Sequence, residues 1–184
     1  MKRQTRTKRI LRFIPMIVVM ALIFYFSAKP GDESAKQSNF IVEAIARLVE
    51  GAAHYEIPAN AVIMMSLIVR KAAHFTEYAI LGWAVMFALY FFISHFKASL
   101  ILPILISVLY AASDEFHQYF VPGRVGTWKD VLIDSCGAIT GIVIYYLVWL
   151  KLVNTSKSER ASKRATRRLV KKARRRNMKE NLLL

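Results

Sequence analysis

The chain is organised around one polar stretch, Ser113-Asp114-Glu115-Phe116-His117-Gln118-Tyr119-Phe120-Val121-Pro122-Gly123-Arg124, which Asp130 and Asp134 follow. This stretch lies between two apolar runs, and each run is long enough to cross a bilayer. Ionisable side chains at membrane depth are costly, and they usually face the interior of a helix bundle or a watery cavity. The pattern therefore predicts that the polar stretch is part of a functional site and that the rest of the chain positions it.

Charged and apolar residues are segregated along the 184 residues. The chain is 55% hydrophobic, and yet its formal net charge is +15. Residues 1–12 carry six bases and no acid, whereas residues 151–184 carry thirteen bases and two acids. An ordinary soluble domain does not combine so much apolar content with so much charge. The pattern predicts a transmembrane domain at 13–153, between a basic N-terminal tail at 1–12 and a basic C-terminal tail at 154–184.

Four apolar runs predict an all-α fold, a four-helix transmembrane bundle. The first run is Ile10–Ala28, and we expect a retained helix because the run is long for the apolar part of a signal peptide. The second is Ala72–Phe92, the third helix begins with Ser99–Ser113, and the fourth runs from Lys129 to Leu152.

The segment between the first two runs predicts an extracytoplasmic amphipathic or re-entrant segment. Ser34–Val49 has apolar residues at helical spacing, which is typical of a helix on a membrane surface or against the bundle. An ordinary loop helix capped by Ser34 is an open alternative. The apolar patch Ala61–Val69 is either a re-entrant or interfacial segment, or an extension of the second helix beyond the bilayer.

Polar residues form a stripe on each of the last three predicted helices, with the spacing of one helix face. The stripe of the second helix is Arg70, His74, Glu77 and Tyr78. The stripe at the far end of the third helix is Ser107, Tyr110, Asp114, His117 and Gln118. The stripe of the fourth helix is Asp130, Asp134, Gly137 and Gly141. Its two glycines form a G-x-x-x-G, which lets a neighbouring backbone approach closely.

The charge distribution predicts where these stripes meet. Four spans place both termini on one side, and the basic tails put that side in the cytoplasm by the positive-inside rule. The loop from Lys29 to Lys71 carries as many acids as bases and is expected outside, whereas the His95-Phe96-Lys97 turn is expected inside. All three stripes then lie at the outer ends of their helices, at the same depth. This convergence predicts one polar site near the outer leaflet.

Several ordered blocks of the chain resemble the VanZ-like integral membrane proteins. The blocks are Phe26-Ser-Ala-Lys-Pro-Gly31, Arg70-Lys-Ala-Ala-His-Phe-Thr-Glu-Tyr78, and Ser113-Asp-Glu-Phe-His-Gln118 with Pro122-Gly-Arg124, Asp130 and Asp134-Ser-Cys-Gly137. The family takes its name from a member associated with resistance to the glycopeptide teicoplanin. The resemblance therefore implies a bacterial cell-envelope protein of the cytoplasmic membrane, without supplying a reaction. The motif positions it implies are Arg70, His74, Glu77, Tyr78, Asp114, Glu115, Gln118, Arg124, Asp130 and Asp134.

The residue types at this site are compatible with three kinds of chemistry. Arginine offers a planar fork for phosphate or carboxylate, and the candidate cations are Arg70, Lys71, Arg124 and Lys129. A hard divalent cation such as Mg²⁺ or Mn²⁺ could bridge acids to a pyrophosphate, and its candidate ligands are Glu77, Asp114, Glu115 and Asp130. Proton transfer near neutral pH needs a histidine beside an acid, and the candidate catalytic residues are His74, Glu77, Asp114, Glu115 and His117. No recognised catalytic motif is present, so acids and arginines that merely pair and lock the helices are an open alternative.

Two function classes follow from this site. The first is a protein that binds an anionic envelope ligand (a lipid-linked precursor, a lipid headgroup or a glycopeptide antibiotic) and contributes to antibiotic resistance or envelope homeostasis. The second is an enzyme that transfers or hydrolyses a phosphate-linked lipid headgroup. Transport has little support because no inverted repeat is visible. The expected ligand-binding residues are Arg70, Lys71, His74, Glu77, Tyr78, Asp114, Glu115, Gln118, Arg124, Asp130 and Asp134.

The basic C-terminal tail predicts attraction to anionic lipids. It follows a span directly, and each near-surface base contributes up to about 1 kcal/mol of attraction to such headgroups. The stretch from Lys157 to Lys179 lacks the interleaved aromatic residues that stack on bases, so nucleic acid is not expected as a partner.

The contacts between the residues of the site can also be predicted. Because a short turn joins the second and third helices, they should be antiparallel neighbours, with Glu77 or His74 within hydrogen-bonding reach of Asp114 or Gln118, directly or through one water. Arg124 should fold back over this group. Since it follows a predicted turn, we expect it to have little part in helix packing.

The predicted topology can be tested by cysteine labelling in intact cells, in a background where Cys136 is replaced by Ala. Glu33→Cys and Gly126→Cys should react with a membrane-impermeant maleimide from outside. Lys97→Cys and Ala165→Cys should react only after permeabilisation. The reverse pattern would place the polar site on the cytoplasmic side.

Overall fold

The computed structural model describes residues 6–53, 57–90, 92–93 and 96–180, and this part of the chain is helical, without a strand. The helices are α1 (Arg6–Ile10), α2 (Phe13–Ser27), α3 (Gly31–Ala53), α4 (Ala59–Leu89), α5 (Phe96–Gln118) and α6 (Trp128–Glu180). The chain divides into two compact units, Met1–Tyr145 and Tyr146–Leu184. The predicted all-α class is confirmed.

Three helical segments are long and apolar enough to cross a membrane, namely Ala59–Leu89, Ala98–Gln118 and Trp128–Ser156. The helix α2 alone has 15 residues, or about 22 Å at 1.5 Å per residue, which is short of the ~30 Å hydrocarbon core. It meets the same criterion only together with α3, from which it is bent by 102°. The described chain thus holds three candidate spans, or four if the bent pair counts as one.

The outward surface of α5 agrees with a membrane environment. Ile101, Leu105 and Leu109 follow one another at intervals of four residues, and each is at least half exposed. A row of exposed aliphatic side chains on one helix face is costly in water and favourable against lipid.

The helix α3 begins three residues before Ser34, so the interpretation of Ser34 as its cap is wrong. The Ser34 amide donates to the Pro30 carbonyl at 3.2 Å, which places Ser34 inside the first turn. Pro30 directly precedes the first helical residue, Gly31. The proline ring fixes φ of Pro30 at a value that suits the start of a helix, and Pro30 has no N–H to continue the preceding one.

The amphipathic helix α3 lies against α4 within the first unit. Val42 and Ala46 are buried on its inner face, and the Ser66 hydroxyl of α4 donates to Asn39 Oδ1 at 2.7 Å. On the opposite face, Phe40 remains exposed. This is the packing expected of an amphipathic helix against a bundle.

The patch Ala61–Val69 is continuous with the second predicted span. It forms the first turns of α4, whose 31 residues extend about 46 Å and therefore exceed the hydrocarbon core by about 16 Å. The interpretation of this patch as a separate re-entrant segment is wrong, and the alternative of a long helix is correct.

Glycines on α6 bring its backbone against α4. A Cβ atom added to Gly137 would overlap the carbonyl group of Phe75, and one added to Gly141 would overlap that of Ala79. The prediction that this G-x-x-x-G permits close backbone approach is confirmed. The close contact fixes the start of α6 beside the middle of α4, where the predicted polar stripe lies.

Two turns that are far apart in sequence pack backbone to backbone. The Gly31 amide donates to the Pro122 carbonyl at 3.0 Å, and a Cβ atom on Gly31 would overlap the carbonyl of Gly123. Gly123 itself has φ +71°, a conformation that glycine adopts at little cost. The break between α2 and α3 is therefore attached to the turn that follows α5.

A compact apolar core holds α2, α4, α5 and the first part of α6 together. Its buried members are Ile23, Tyr78, Leu81, Val85, Ala111 and Ala138. The Tyr110 hydroxyl of α5 donates to the Met20 carbonyl of α2 at 2.6 Å, next to this core.

Some predicted features lie outside the described residues, or continue beyond their predicted bounds. The N-terminal residues 1–5 and His95 of the predicted inner turn lie outside the described ranges. The helix α6 continues through the basic tail as far as Glu180.

One labelling position needs correction. A Cβ atom on Gly126 would overlap the Glu115 carbonyl, so Gly126→Cys would strain the loop. Val125 is 75% exposed and is the better outer position for the labelling experiment.

The glycine contacts predict a stability difference between two Gly→Ala variants. Gly141→Ala should lower the free energy of unfolding by about 1–3 kcal/mol, because its Cβ would overlap the α4 backbone. Gly51→Ala is the matched control, because a Cβ there has no atom within 4 Å, and alanine should be neutral or stabilise the helix by up to about 1 kcal/mol. Thermal unfolding of the purified proteins in detergent measures both, and equal melting temperatures would contradict the predicted packing.

Candidate functional site

Polar residues from several helices line one cavity of about 160 Å³. This is far more than the roughly 10–15 Å³ that one water needs. The cavity is lined by Ile23, Phe26, Ser27, Ser34, Gln37, Ser38, Ile41, Val69, Arg70, Ala73, His74, Glu77, Asp114 and Arg124. It is therefore large enough for a small polar group and is built from α2, α3, α4, α5 and the loop after α5.

The structure brings together many of the residues that the sequence predicts for the site. Arg70, His74 and Glu77 reach the cavity from one face of α4, Asp114 reaches it from the end of α5, and Arg124 from the following loop. The helical spacing of the α4 residues explains why all three point the same way. No direct hydrogen bond joins His74 or Glu77 to Asp114 or Gln118 within the described chain, so only the predicted contact through one water stays a prediction.

Arg124 fastens the loop after α5 to the end of α2. Its Nε donates to the Lys29 carbonyl at 2.9 Å, and its Nη2 donates to the Phe26 carbonyl at 2.9 Å. Its Nη1 donates to Gln118 Oε1 at 3.2 Å. The last carbonyls of a helix lack intrahelical partners, and a cation there satisfies them. The expectation that Arg124 has little part in helix packing is therefore wrong.

The pKa of Arg124 is affected by the second cation of the cavity, Arg70. Burial lowers the pKa of Arg124, and the nearby positive charge of Arg70 lowers it further, whereas the carboxylates of Asp114 and Glu115 oppose the shift. Two guanidinium groups that repel each other across a cavity favour an anion between them.

Arg70 differs from Arg124 in having no fixed partner. It is half-buried and lines the cavity, and no hydrogen bond or ion pair joins it to any residue that the structure describes. Its planar fork of donors is therefore available to a ligand.

Gln118 connects two buried acids of α5. Its Nε2 lies 3.2 Å from Asp114 Oδ2 and 3.2 Å from Glu115 Oε1, and all three residues are 4% exposed. The other Glu115 oxygen, Oε2, accepts a hydrogen bond from the Thr127 amide at 2.9 Å, just before α6 begins. Glu115 thereby satisfies a backbone donor at the start of that helix, while Asp114 Oδ1 has no partner in the described chain.

Asp134 of α6 does not line the cavity itself but lies next to His74, which does. The distance between His74 Nδ1 and Asp134 Oδ1 is 3.5 Å, which is long for a hydrogen bond. One donor atom each of His74, Glu115 and Asp134 lie within 4.8 Å of one another, and they form a group that could hold a metal ion. Of the predicted metal ligands, only Glu115 belongs to this group.

Lys71 and Asp130 pair with each other instead of lining the cavity. The Lys71 Nζ donates to Asp130 Oδ1 and joins α4 to the first turn of α6. Their charges are thus largely compensated, and neither is available to a ligand in the cavity.

Three further predicted residues lie away from the cavity. The His117 ring stacks on Phe24 at a centroid distance of 4.6 Å, and its Nε2 is buried without a partner in the described chain. Tyr78 is fully buried in the apolar core. Lys129 is exposed on α6.

One wall of the cavity, which α2 and α3 provide, was not predicted from the sequence. Its polar members are Ser27, Ser34, Gln37 and Ser38. On α3, the cavity residues from Ser34 to Ile41 stand at i, i+3, i+4 and i+7, the spacing of one helix face. The same helical spacing marks the polar stripe of α4, but on α3 the apolar face is the stronger pattern in the sequence.

Comparison with known proteins gives one family. The model of the VanZ/LLP1 family matches residues 13–150. No curated protein and no solved structure matches the chain.

Substitution of the two cavity arginines is predicted to change stability by different amounts. Arg124→Ala should lower the free energy of unfolding by about 2 kcal/mol or more, because it removes charge-assisted hydrogen bonds to the end of α2. Arg70→Ala should change it by less than about 0.5 kcal/mol, as expected for a side chain without partners. Thermal unfolding in detergent measures both. Equal losses would show that the Arg124 contacts do not stabilise the fold.

Proposed function

Because the chain belongs to the VanZ/LLP1 family over residues 13–150 and has helices able to cross a membrane, we propose that it binds an anionic lipid of the bacterial envelope. The negatively charged headgroup would occupy the polar cavity at Arg70. The observation that carries this proposal is a second, apolar cavity that shares part of its wall with the first.

The apolar cavity has a volume of about 190 Å³ and lies between α2 and α4. It is lined by Val19, Leu22, Ile23, Phe26, Glu77 and Ile80. Ile23, Phe26 and Glu77 line both cavities. Leu22 and Ile80 are about half exposed, so this cavity opens towards the surroundings of the bundle. A ligand with a charged head and a hydrocarbon chain fits two adjoining cavities of this kind.

The polar cavity offers donors for the head of such a ligand. Arg70 has no partner in the described chain and suits a phosphate or a carboxylate. Ser27 is 4% exposed, lines the cavity, and its hydroxyl has no hydrogen-bond partner among the described residues. A buried hydroxyl without a partner costs free energy, so an acceptor on a ligand would stabilise it.

The proposed setting is the cytoplasmic membrane, with both termini in the cytoplasm and the cavity at the outer leaflet. The basic residues at 1–12 and 151–184 support this orientation through the positive-inside rule. In this arrangement the bent pair α2–α3 contributes the fourth helix of the bundle and an extracytoplasmic amphipathic segment. The basic tail would hold anionic headgroups on the inner side. Binding a lipid-linked wall precursor would connect the protein to antibiotic resistance and envelope homeostasis.

An enzyme that transfers or hydrolyses a phosphate-linked headgroup is the second candidate. The close approach of His74 and Asp134 favours it, because a histidine beside a buried acid can act as a general base. Binding needs fewer groups than turnover and is therefore the function we propose first.

The proposal predicts that Arg70 and the apolar cavity are both needed for lipid binding. Purified protein would be offered undecaprenyl phosphate, phosphatidylglycerol, phosphatidylcholine or teicoplanin, and complexes would be counted by native mass spectrometry. Arg70→Ala should weaken binding of a phosphate-bearing anionic lipid by at least about tenfold, the loss of one charge-assisted contact. Ile80→Trp should weaken it by filling the apolar cavity.

Matched variants serve as controls for these two substitutions. Arg47→Ala removes an exposed arginine that pairs with Glu43, and Ile101→Trp enlarges an exposed residue of α5, so both should bind lipid like the wild type. Equal binding of phosphatidylcholine, or unchanged binding by Arg70→Ala, would refute the proposal. If only teicoplanin binds, the ligand of the cavity is the antibiotic and not a lipid. Release of inorganic phosphate or a shortened lipid, with or without Mg²⁺ or Mn²⁺, would establish the enzyme.

A further inference from the structure

A buried group of donor atoms lies behind the polar cavity, where α4, α5 and α6 meet. From its geometry we infer that His74, Glu115 and Asp134 bind one divalent transition-metal ion. One donor atom of each residue lies within 4.8 Å of the others. Bonds of about 2.0–2.2 Å around a tetrahedral ion would place neighbouring donor atoms roughly 3.3–3.6 Å apart. The 3.5 Å between His74 Nδ1 and Asp134 Oδ1 already matches this spacing, whereas the widest separation in the group must shorten by up to about 1.5 Å.

Asp134 provides the second and independent observation. Its side chain is fully buried, and neither of its carboxylate oxygens has a hydrogen-bond partner among the described residues. His74 Nδ1 faces it at 3.5 Å and also makes no hydrogen bond in the described chain. Buried polar atoms are almost always satisfied, and an unsatisfied carboxylate is among the most costly exceptions.

A proton resolves this arrangement only in part. A protonated His74 would form an ion pair with Asp134 across the 3.5 Å gap, but the second carboxylate oxygen, Oδ2, would still lack a partner in the described chain. A metal ion between the two residues would bond to both, and it would compensate the negative charge directly.

The third ligand is already oriented. The two Glu115 oxygens accept hydrogen bonds from Gln118 and from the Thr127 amide. Each carboxylate oxygen has a further lone pair for a metal. Partners of this kind fix the orientation of a ligand and support metal affinity. The close backbone contact of Gly137 with Phe75, the residue after His74, holds α6 against α4 one turn after Asp134.

The donor set indicates which ions are preferred. An imidazole nitrogen with carboxylates suits Zn²⁺ or Mn²⁺, whereas Mg²⁺ and Ca²⁺ prefer oxygen ligands alone. Three protein ligands leave a coordination position open. His74 also lines the polar cavity, so the open position would adjoin that cavity. A contact between the ion and a bound lipid headgroup would rest on the proposed function, but metal binding itself does not.

Metal binding by the full chain in detergent provides the test. The protein would be stripped with EDTA, incubated with Zn²⁺ or Mg²⁺ without added lipid, desalted, and analysed by inductively coupled plasma mass spectrometry. The wild type should retain about one equivalent of Zn²⁺ and no Mg²⁺. His74→Ala and Asp134→Asn should each weaken Zn²⁺ binding by about tenfold or more.

Each variant has a matched control in the same region. His117→Ala removes a histidine that stacks on Phe24, and Asp130→Asn removes an acid that pairs with Lys71 one turn earlier on α6. Both controls should retain about one equivalent of Zn²⁺. Arg70→Ala should also retain it while losing lipid, so that the metal site and the lipid site can fail separately.

Two outcomes would overturn the inference. One is a wild type that retains no stoichiometric Zn²⁺, and the other is an equal loss of Zn²⁺ in the variants and in their controls. If His74→Ala or Asp134→Asn does not fold, a variant with His54, His95 and His117 all changed to Ala decides the matter. Cu²⁺ bound to that protein should show an imidazole nitrogen by electron spin-echo envelope modulation, and absence of that coupling would equally refute the site.

Discussion

The guanidinium of Arg124, bonded to the carbonyls at the end of α2, is the contact on which the cavity depends. Where α2 breaks, its last carbonyls need donors, and in a low-dielectric environment no water replaces them cheaply. Arg124 supplies those donors from a loop that lies 95 residues further along the chain. The contact between Gly31 and Gly123 brings the same two turns together. With the turns joined, α3 is directed across α4 and closes one side of the cavity.

Features that depend on helical periodicity could be predicted from the sequence, whereas contacts between residues distant in sequence could not. The face of α4 that carries Arg70, His74 and Glu77 follows from helical spacing, and the structure places all three at one cavity. The role of Arg124 could not be predicted in this way, because carbonyls distant in sequence have no signature in composition. Whether Ala61–Val69 forms a separate segment was likewise undecided, since an apolar run does not show where a helix begins. Only the continuous backbone of α4 resolves it.

The charged residues around α4 lie in two different environments, one on each side of the helix. On the cavity side, Arg70 has no partner in the described chain, whereas Arg124 is held by backbone carbonyls and Gln118. On the α6 side, the fully buried Asp134 faces His74. His74 belongs to both sides, since it lines the cavity and approaches Asp134. An ion bound at His74 would therefore add positive charge at the wall of a cavity that also contains Glu77 and Asp114, and would favour an anion there.

Close packing explains how Asp134 can stay buried without a partner in the described chain. Gly137 and Gly141 let α6 approach the α4 backbone so closely that no side chain fits between the helices at those positions. That contact contributes dispersion energy along the helix pair, and it offsets the cost of a polar side chain one turn away. Such a cost persists in a fold when the unsatisfied group serves a ligand. The same glycines that allow the helices to meet therefore also bring Asp134 opposite His74, which lines the polar cavity as well.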